Sequence, residues 1–413
     1  MIRKKPALPV LLILTITIFS ACTPKENQET DSYDEPETKV NIDNAKESTL
    51  NLSSLAVNCD IIHLDDSDEA LLNVPVSYAV TAENILIVDG DQYPAKLFNR
   101  KGCFIRDIGN IGTGPEEYLS VVSPSINTND NNIWLMVGGN YSNPKDGWYY
   151  AYDTEGNLLK QVNILNRKNL ENNRNNLLMH SGNIYIPGNV DSESILIIKN
   201  INTGSEKKIR NLISPDYFTY TVNNSTIYQY GKCYKFKIGE TDNIYSYIPE
   251  TSTIVPEIKI YTEKHRFDEQ KIKDARSSRG SARWTNIQNA VDGCYSIILM
   301  GESEKYYILK VIVNGNNSHT KLLVIDKSNS KPWFITIIDD IVSGLELKSI
   351  PYIYNNEYLI FHYSSIDYAK LTRDKLGDGV DNKYHNFLEK ELEATNEDGN
   401  DVLIIASIKN NTE

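Results

Sequence analysis

From about residue 50 to residue 410 the chain repeats one texture. Short runs rich in Ile, Val, Tyr and Phe are broken by Asn, Asp, Gly and Ser. Examples are Ile85–Val88, Ala95–Phe98, Ile133–Met136, Ile184–Ile186 and Ile195–Ile198. Apolar and β-branched runs bounded by turn residues predict short antiparallel strands. Helical spacing is almost absent. It appears at 382–395, where Tyr384, Phe387, Leu388 and Leu392 share one face, and a second helical segment is expected around 264–283.

The runs also recur in a fixed order. An apolar strand opens each unit, as in NILIVDG at 84–90, NNIWLMVGG at 131–139 and GNIYIPGN at 182–189. A second strand then breaks at a polar turn and resumes as a third. These turns fall near residues 100, 154, 202, 250 and 328. The first spacings, roughly 48 to 54 residues, match one four-stranded propeller blade. The longer last gap is filled by residues 261–290, read as an insertion between blades. The pattern predicts an all-β fold, a propeller of six four-stranded antiparallel blades over residues 50–413. The strand at Cys59–Leu64 is expected to join those near 358 and 402, so that both chain ends close the ring and remove an exposed edge.

The start of the chain changes the picture of compartment. Arg3, Lys4 and Lys5 precede an apolar run from Ala7 to Phe19, which ends at Ser20-Ala21-Cys22. A basic start, a short apolar stretch and small residues make a secretory signal over residues 1–21. The run is too short for a membrane span, which needs about 20 apolar residues. The Cys22 context resembles the bacterial lipobox, which implies lipidation of Cys22 and a membrane held through that lipid. Residues 22–49 are polar and acidic and are expected to form a flexible tether. The net charge of −13 argues against nucleic acid as a partner. Cys59, Cys103, Cys233 and Cys294 are far apart and without zinc spacing, so buried free thiols are expected for most of them.

Residues 56–130 carry Asp60–Leu64, Ile85–Asp89, Leu97-Phe98, Lys101–Ile105, and Ile108-Gly109 running into Gly112–Tyr118. An acidic turn at Asn396–Asp401 precedes a hydrophobic last strand. These segments resemble the six-bladed β-propeller lipoproteins of Bacteroidetes, relatives of the NHL-repeat propellers. The resemblance implies an outer-membrane lipoprotein, periplasmic or surface-exposed. It implies no activity.

The chemistry is sparse. Gly109, Gly112 and Gly114 suggest a phosphate loop, but Pro115, Glu116 and Glu117 follow in place of the Lys and Ser/Thr that a P-loop requires. A turn from one blade to the next is the expected role. The six histidines show no ligand spacing, and there is no G-x-S-x-G elbow. No catalytic or metal residue is assigned, and the cofactor is left open. Asp89 ends an apolar strand and is read as a turn residue, with a place beside the channel as the alternative. The insertion is locally basic, with Arg276, Arg279 and Arg283 beside Trp284. Tyr141, Trp148 and Tyr149 fall in what reads as an aromatic loop, and such rings can stack on a ligand. These seven residues are the candidate binding set. The function expected is a non-catalytic binding or scaffolding module for a glycan, peptide or protein partner. The alternative is a propeller hydrolase or lyase with a metal in the central channel.

Overall fold

The computed structural model describes residues 33–90, 92–127, 130–138, 147–165, 177–188, 192–213, 225–377 and 382–410. Three strands come first: β1 (Thr38–Asn41), β2 (Lys46–Asn51) and β3 (Ala56–His63). Blade 1 follows with β4 (Pro75–Val80), β5 (Asn84–Asp89), β6 (Ala95–Asn99) and β7 (Phe104–Ile108). Blade 2 holds β8 (Val121–Ile126), β9 (Ile133–Gly138), β10 (Gly147–Tyr152) and β11 (Leu158–Leu165). Blade 3 holds β12 (Leu178–His180), β13 (Asn183–Pro187), β14 (Ser194–Asn200) and β15 (Glu206–Arg210). Blade 4 is β16 (Thr226–Tyr230), β17 (Cys233–Lys237), β18 (Asn243–Ile248) and β19 (Thr253–Tyr261). Blade 5 is β20 (Tyr295–Glu302), β21 (Tyr306–Val313), β22 (His319–Asp326) and β23 (Pro332–Ile338), with the short β24 (Glu346–Leu347) on β23. Blade 6 uses β25 (Tyr352–Tyr354), β26 (Tyr358–Tyr363) and β27 (Val402–Ile408), and takes β3 as its fourth strand.

In every blade consecutive strands pair antiparallel, and the first strand is innermost. Six blades therefore surround one channel, as the repeat predicts. Closure also occurs as predicted. β27 pairs with β3 from Val402 opposite His63 to Ile408 opposite Ala56.

The second strands explain why the repeat is legible. Blades stack on both faces of their neighbours, so β5 is buried at every position. Strands buried on both faces read as continuous apolar runs. The outer strands alternate or are exposed, as in Phe104–Ile108 and Glu206–Arg210. One expectation is corrected here. The runs NILIVDG, NNIWLMVGG and GNIYIPGN are second strands, not first. The true first strands, such as Val121–Ile126 and Leu178–His180, line the channel and carry mixed polar and apolar residues without clear alternation.

A second correction concerns residues 22–49. The part from Thr38 onward is not a tether. β1 adds parallel to β19 on the outside of blade 4, and β2 adds parallel to β23 on blade 5. With β3 on blade 6, residues 38–63 form a belt over the outer edges of three successive blades. Val40 and Ile42 are buried in the core between blades 4 and 5, and Leu52 and Leu55 in the core of blades 5 and 6. The segment is polar overall, yet these few apolar residues suffice because sheet edges supply the hydrogen bonds.

Both helical expectations are met. Helices α1 (Glu269–Ser277) and α2 (Ala282–Ala290) fill the insertion between blades 4 and 5. Helix α3 (Ser365–Gly377), which the spacing did not reveal, and α4 (Asn382–Ala394) lie between β26 and β27. Tyr368 of α3 and Leu388 of α4 are buried against the core of blades 5 and 6.

Ile404 of β27 is fully buried in the closing blade. Ile404→Ala should lower the unfolding free energy by about 2–5 kcal/mol. Equilibrium denaturation with urea measures this. A loss below about 1 kcal/mol would mean that the closing blade lies outside the cooperative unit.

Candidate functional site

The two ends of the ring differ. Connections from first to second strand and from third to fourth hold two to six residues. They are tight turns, as at Asn355 and Asn356, whose φ values of 50° and 60° place both central residues of a type I′ turn at positive φ, closed by the Glu357 N–H on the Tyr354 carbonyl. Connections from one blade to the next hold eleven residues or more, and they gather at the opposite end. Both helical hairpins stand at that end too. Loops on a rigid scaffold are where binding and catalytic residues concentrate.

The glycine cluster is one of these connections, between β7 and β8 as expected. Two of its glycine amides are taken by the chain itself, that of Gly112 by the Tyr118 carbonyl at 3.0 Å. The Glu117 carboxylate accepts the Gly114 N–H at 2.6 Å. A Cβ on Gly112 would lie 2.0 Å from that carboxylate. Gly109 has φ +69°, and a Cβ there would meet the Tyr118 ring at 2.6 Å. The Tyr118 hydroxyl donates to the Ile108 carbonyl at 2.7 Å and pins the turn. An anion offered to this loop would meet a carboxylate already in place.

The central channel encloses about 420 Å³. Its wall carries Ser123, Thr226, Tyr228, Met300 and Tyr352, and Lys310 is the one charged side chain among the described lining residues. Burial pushes the Lys310 ammonium below its ordinary pKa. Among the described residues no group of three or more His, Cys, Asp or Glu is placed to hold a metal. Asp89 does not line the channel. It lies on β5, fully buried, and its two oxygens accept the N–H groups of Asn73 and Val74 at 2.6–2.9 Å. It fixes the connection that leads into blade 1.

The candidate binding set separates. Cys22 and Tyr141 lie outside the described residues. Trp148 and Tyr149 sit in strand β10 rather than in a loop. Tyr149 is buried, edge-on to Trp134 at 6.3 Å, and reaches the channel wall. Trp148 is half-buried and packs against the core of blades 1 and 2. The other four stay together. Arg276 ends α1, Arg279 lies in the link, and Arg283 and Trp284 begin α2. Trp284 is 68% exposed. Of the four later cysteines, all free, Cys59 and Cys294 are buried as expected, whereas Cys103 is exposed and Cys233 half-exposed because both stand at hairpin turns.

A cavity that the sequence reading missed lies beneath this hairpin. It encloses about 350 Å³ between blades 4 and 5. Lys237, Glu240, Asp242, Arg266, Phe267 and Tyr295 are among its lining residues. Lys237 is 1% exposed and donates to the Gly239 carbonyl at 2.6 Å. Desolvation drives its pKa down to about 8, against the opposing pull of Glu240 and Asp242. The insertion that roofs the cavity is held from the belt. Asp43 accepts from the Thr262 hydroxyl at 2.5 Å and from the N–H groups of Glu263 and Lys264 at 2.9 and 3.0 Å. Thr262 in turn accepts the N–H of His265 at 3.0 Å, and the His265 ring stacks on Tyr295 at 3.9 Å.

A signal for Lys237 was available. In CYKFK the aromatic and basic residues alternate, so one face of β17 must carry both lysines. β17 is a second strand, buried on both faces, and neither register could put Lys235 and Lys237 in water.

The family model described as "Domain of unknown function (DUF4934)" matches residues 37–407. Among solved structures, a Bacteroides fragilis NCTC 9343 protein described as exported has a TM-score of 0.61 at 19% identity, over 90% of this chain and 100% of that one. It shares the fold. A DUF4221 family member from Bacteroides vulgatus ATCC 8482 has a TM-score of 0.49 at 11% identity, over 86% of this chain and 98% of its own. No curated protein matches the chain.

Lys237 supplies a stability prediction. Below pH about 8 the folded chain holds a buried charge, and the unfolded chain keeps its lysine charged up to 10.5. Between these values the unfolded chain binds more protons, so stability rises with pH across that window. The burial penalty is present in full below it. Lys237→Met should therefore leave the urea midpoint at pH 7 unchanged or raised, and that advantage should shrink toward pH 10. A loss above about 2 kcal/mol at pH 7 would show that the ammonium holds the fold.

Proposed function

We propose a binding role for this chain, which belongs to the DUF4934 family. It is a cell-envelope lipoprotein whose propeller presents its long-connection end to a glycan, peptide or protein partner. The observation that carries this reading is the α1–α2 hairpin. Trp284 is the most exposed large apolar side chain of the described residues, and Arg279 and Arg283 flank it in the open. Trp and Arg are the residue types that dominate interface energies. An acidic protein that places three arginines around one exposed indole favours an anionic partner there. Lipid on Cys22 would hold the propeller at the outer membrane, with the belt beginning within about 16 residues of the anchor.

The metal-dependent alternative finds no support in the channel, whose described lining residues include no carboxylate and no imidazole.

An array of sulfated glycans, uronate glycans and acidic peptides, probed with the full chain, tests the binding role. Replacing Arg276, Arg279, Arg283 and Trp284 together with Ala should weaken the best binder by at least about tenfold. Equal binding by the variant, or no binder on the array, would sink the reading. The anchor is tested separately. Cys22→Ser should move the chain from the membrane fraction to the soluble fraction, and an unchanged distribution would refute lipidation.

A further inference from the structure

Two lysines of one strand make the argument. Lys235 and Lys237 both lie on β17, are both buried, and point to the same side of blade 4. Lys235 is saturated. Its ammonium meets Glu257 at 2.5 Å and Glu302 at 3.4 Å, beneath the rings of Tyr230 and Tyr307. Glu257 is itself held by the hydroxyls of Ser246 and Tyr307 at 2.6 and 2.5 Å. Burial works to raise the Glu257 pKa, but Lys235 and these hydrogen bonds outweigh it and the pKa falls. This is how a buried charge is accommodated when its task is to join blades.

Lys237 is treated differently. An ammonium has three donors, and the Gly239 carbonyl takes one. Lys237 makes no ion pair with any described acid, although Glu240 and Asp242 stand near enough to raise its pKa against the burial. Lys237 lines a cavity of about 350 Å³, toward the lower end of the roughly 300–1,000 Å³ typical of small-molecule sites. A buried charge without its full set of partners is costly, and such groups concentrate at functional sites.

The rest of the lining defines what would fit. Arg266 adds a second cation at the cavity, and Glu240, Asp242 and Glu269 add carboxylates. Ile260, Ile297, Phe267 and Tyr295 supply an apolar wall. Of the three hydroxyls among the lining residues, two are already committed as donors, Thr241 to the Ile238 carbonyl at 2.6 Å and Thr262 to Asp43, and the third is that of Tyr295. A neutral sugar would therefore find few free donors. A pure anion would meet three carboxylates, and a pure cation would meet Lys237. We infer that the cavity between blades 4 and 5 binds a small zwitterion, a free α-amino acid with an apolar side chain. Its carboxylate meets Lys237, its ammonium meets the acidic side of the lining, and its side chain lies on the apolar wall. The site goes beyond the proposed docking hairpin, since it lies below the hairpin and uses none of Arg276, Arg279, Arg283 and Trp284.

Isothermal titration calorimetry of the full chain with L-leucine and L-phenylalanine tests this. At least one should bind saturably, with a dissociation constant below about 1 mM. For the better probe, the analogue lacking the ammonium (4-methylpentanoate or 3-phenylpropanoate) and the analogue lacking the carboxylate (3-methylbutylamine or 2-phenylethylamine) should each bind at least about tenfold more weakly. Lys237→Met should weaken binding by at least about tenfold. Its urea unfolding, measured in parallel, separates a lost contact from a lost fold. Lys310→Met in the channel should leave binding unchanged, as should the fourfold Ala variant of the hairpin. No saturable heat with either amino acid up to about 10 mM would overturn the inference. So would equal binding by folded Lys237→Met, or an analogue with one charge binding as well as its parent.

Discussion

The ladder between β3 and β27 is the constraint on which the ring depends. Five blades are built from contiguous chain, so each can form its own sheet locally. The sixth cannot. It waits for a strand that left the start of the chain some 340 residues earlier. Until β3 arrives, β27 presents an open edge and the core shared with blade 1 lacks Ile62. Leu403 and Ile405 of β27 belong to the core that runs from blade 6 through blades 1 and 2. Ile404 and Ala406, on the other face of the same strand, belong to the core of blades 5 and 6. One strand thus stitches two interblade cores, and its partner on the far side fixes where both lie.

Much of this was legible because stacking writes a simple code. The strands buried on both faces, such as Ile85–Val88 and Ile133–Met136, appear as unbroken apolar runs at a blade period. The hairpins near residues 100, 154, 202, 250 and 328 mark the turn from third to fourth strand in five blades. The innermost strands were not legible. Channel-facing positions satisfy neither the rule of alternation nor that of full burial. The belt was missed for a related reason. Lys46–Asn51 is mostly exposed and polar, and its place is set by hydrogen bonds to β23 rather than by side chains.

The candidate sites divide in the same way. The arginines and Trp284 were legible because an exposed cluster is a departure from an acidic composition. Trp148 and Tyr149 misled because aromatic residues serve a strand as well as a loop. Lys237 escaped notice because a lysine in a sequence is read as solvent-exposed until the strand around it is known to have no solvent face.

The belt runs in one direction, from blade 4 to blade 5 to blade 6. Before it, Tyr33 already packs at the junction of blades 3 and 4, with its hydroxyl on the Arg210 carbonyl at 3.0 Å and its ring 5.4 Å from Tyr245. A mechanical load entering at this end would meet the elements in series. The Tyr33 contact and the four-residue β1 would yield first, then the six-residue β2, and only then the eight-residue β3. Force would be dissipated in two shorter edge strands before reaching the strand that holds the ring shut. The order of failure is set by topology, and the longest ladder is the last to be loaded.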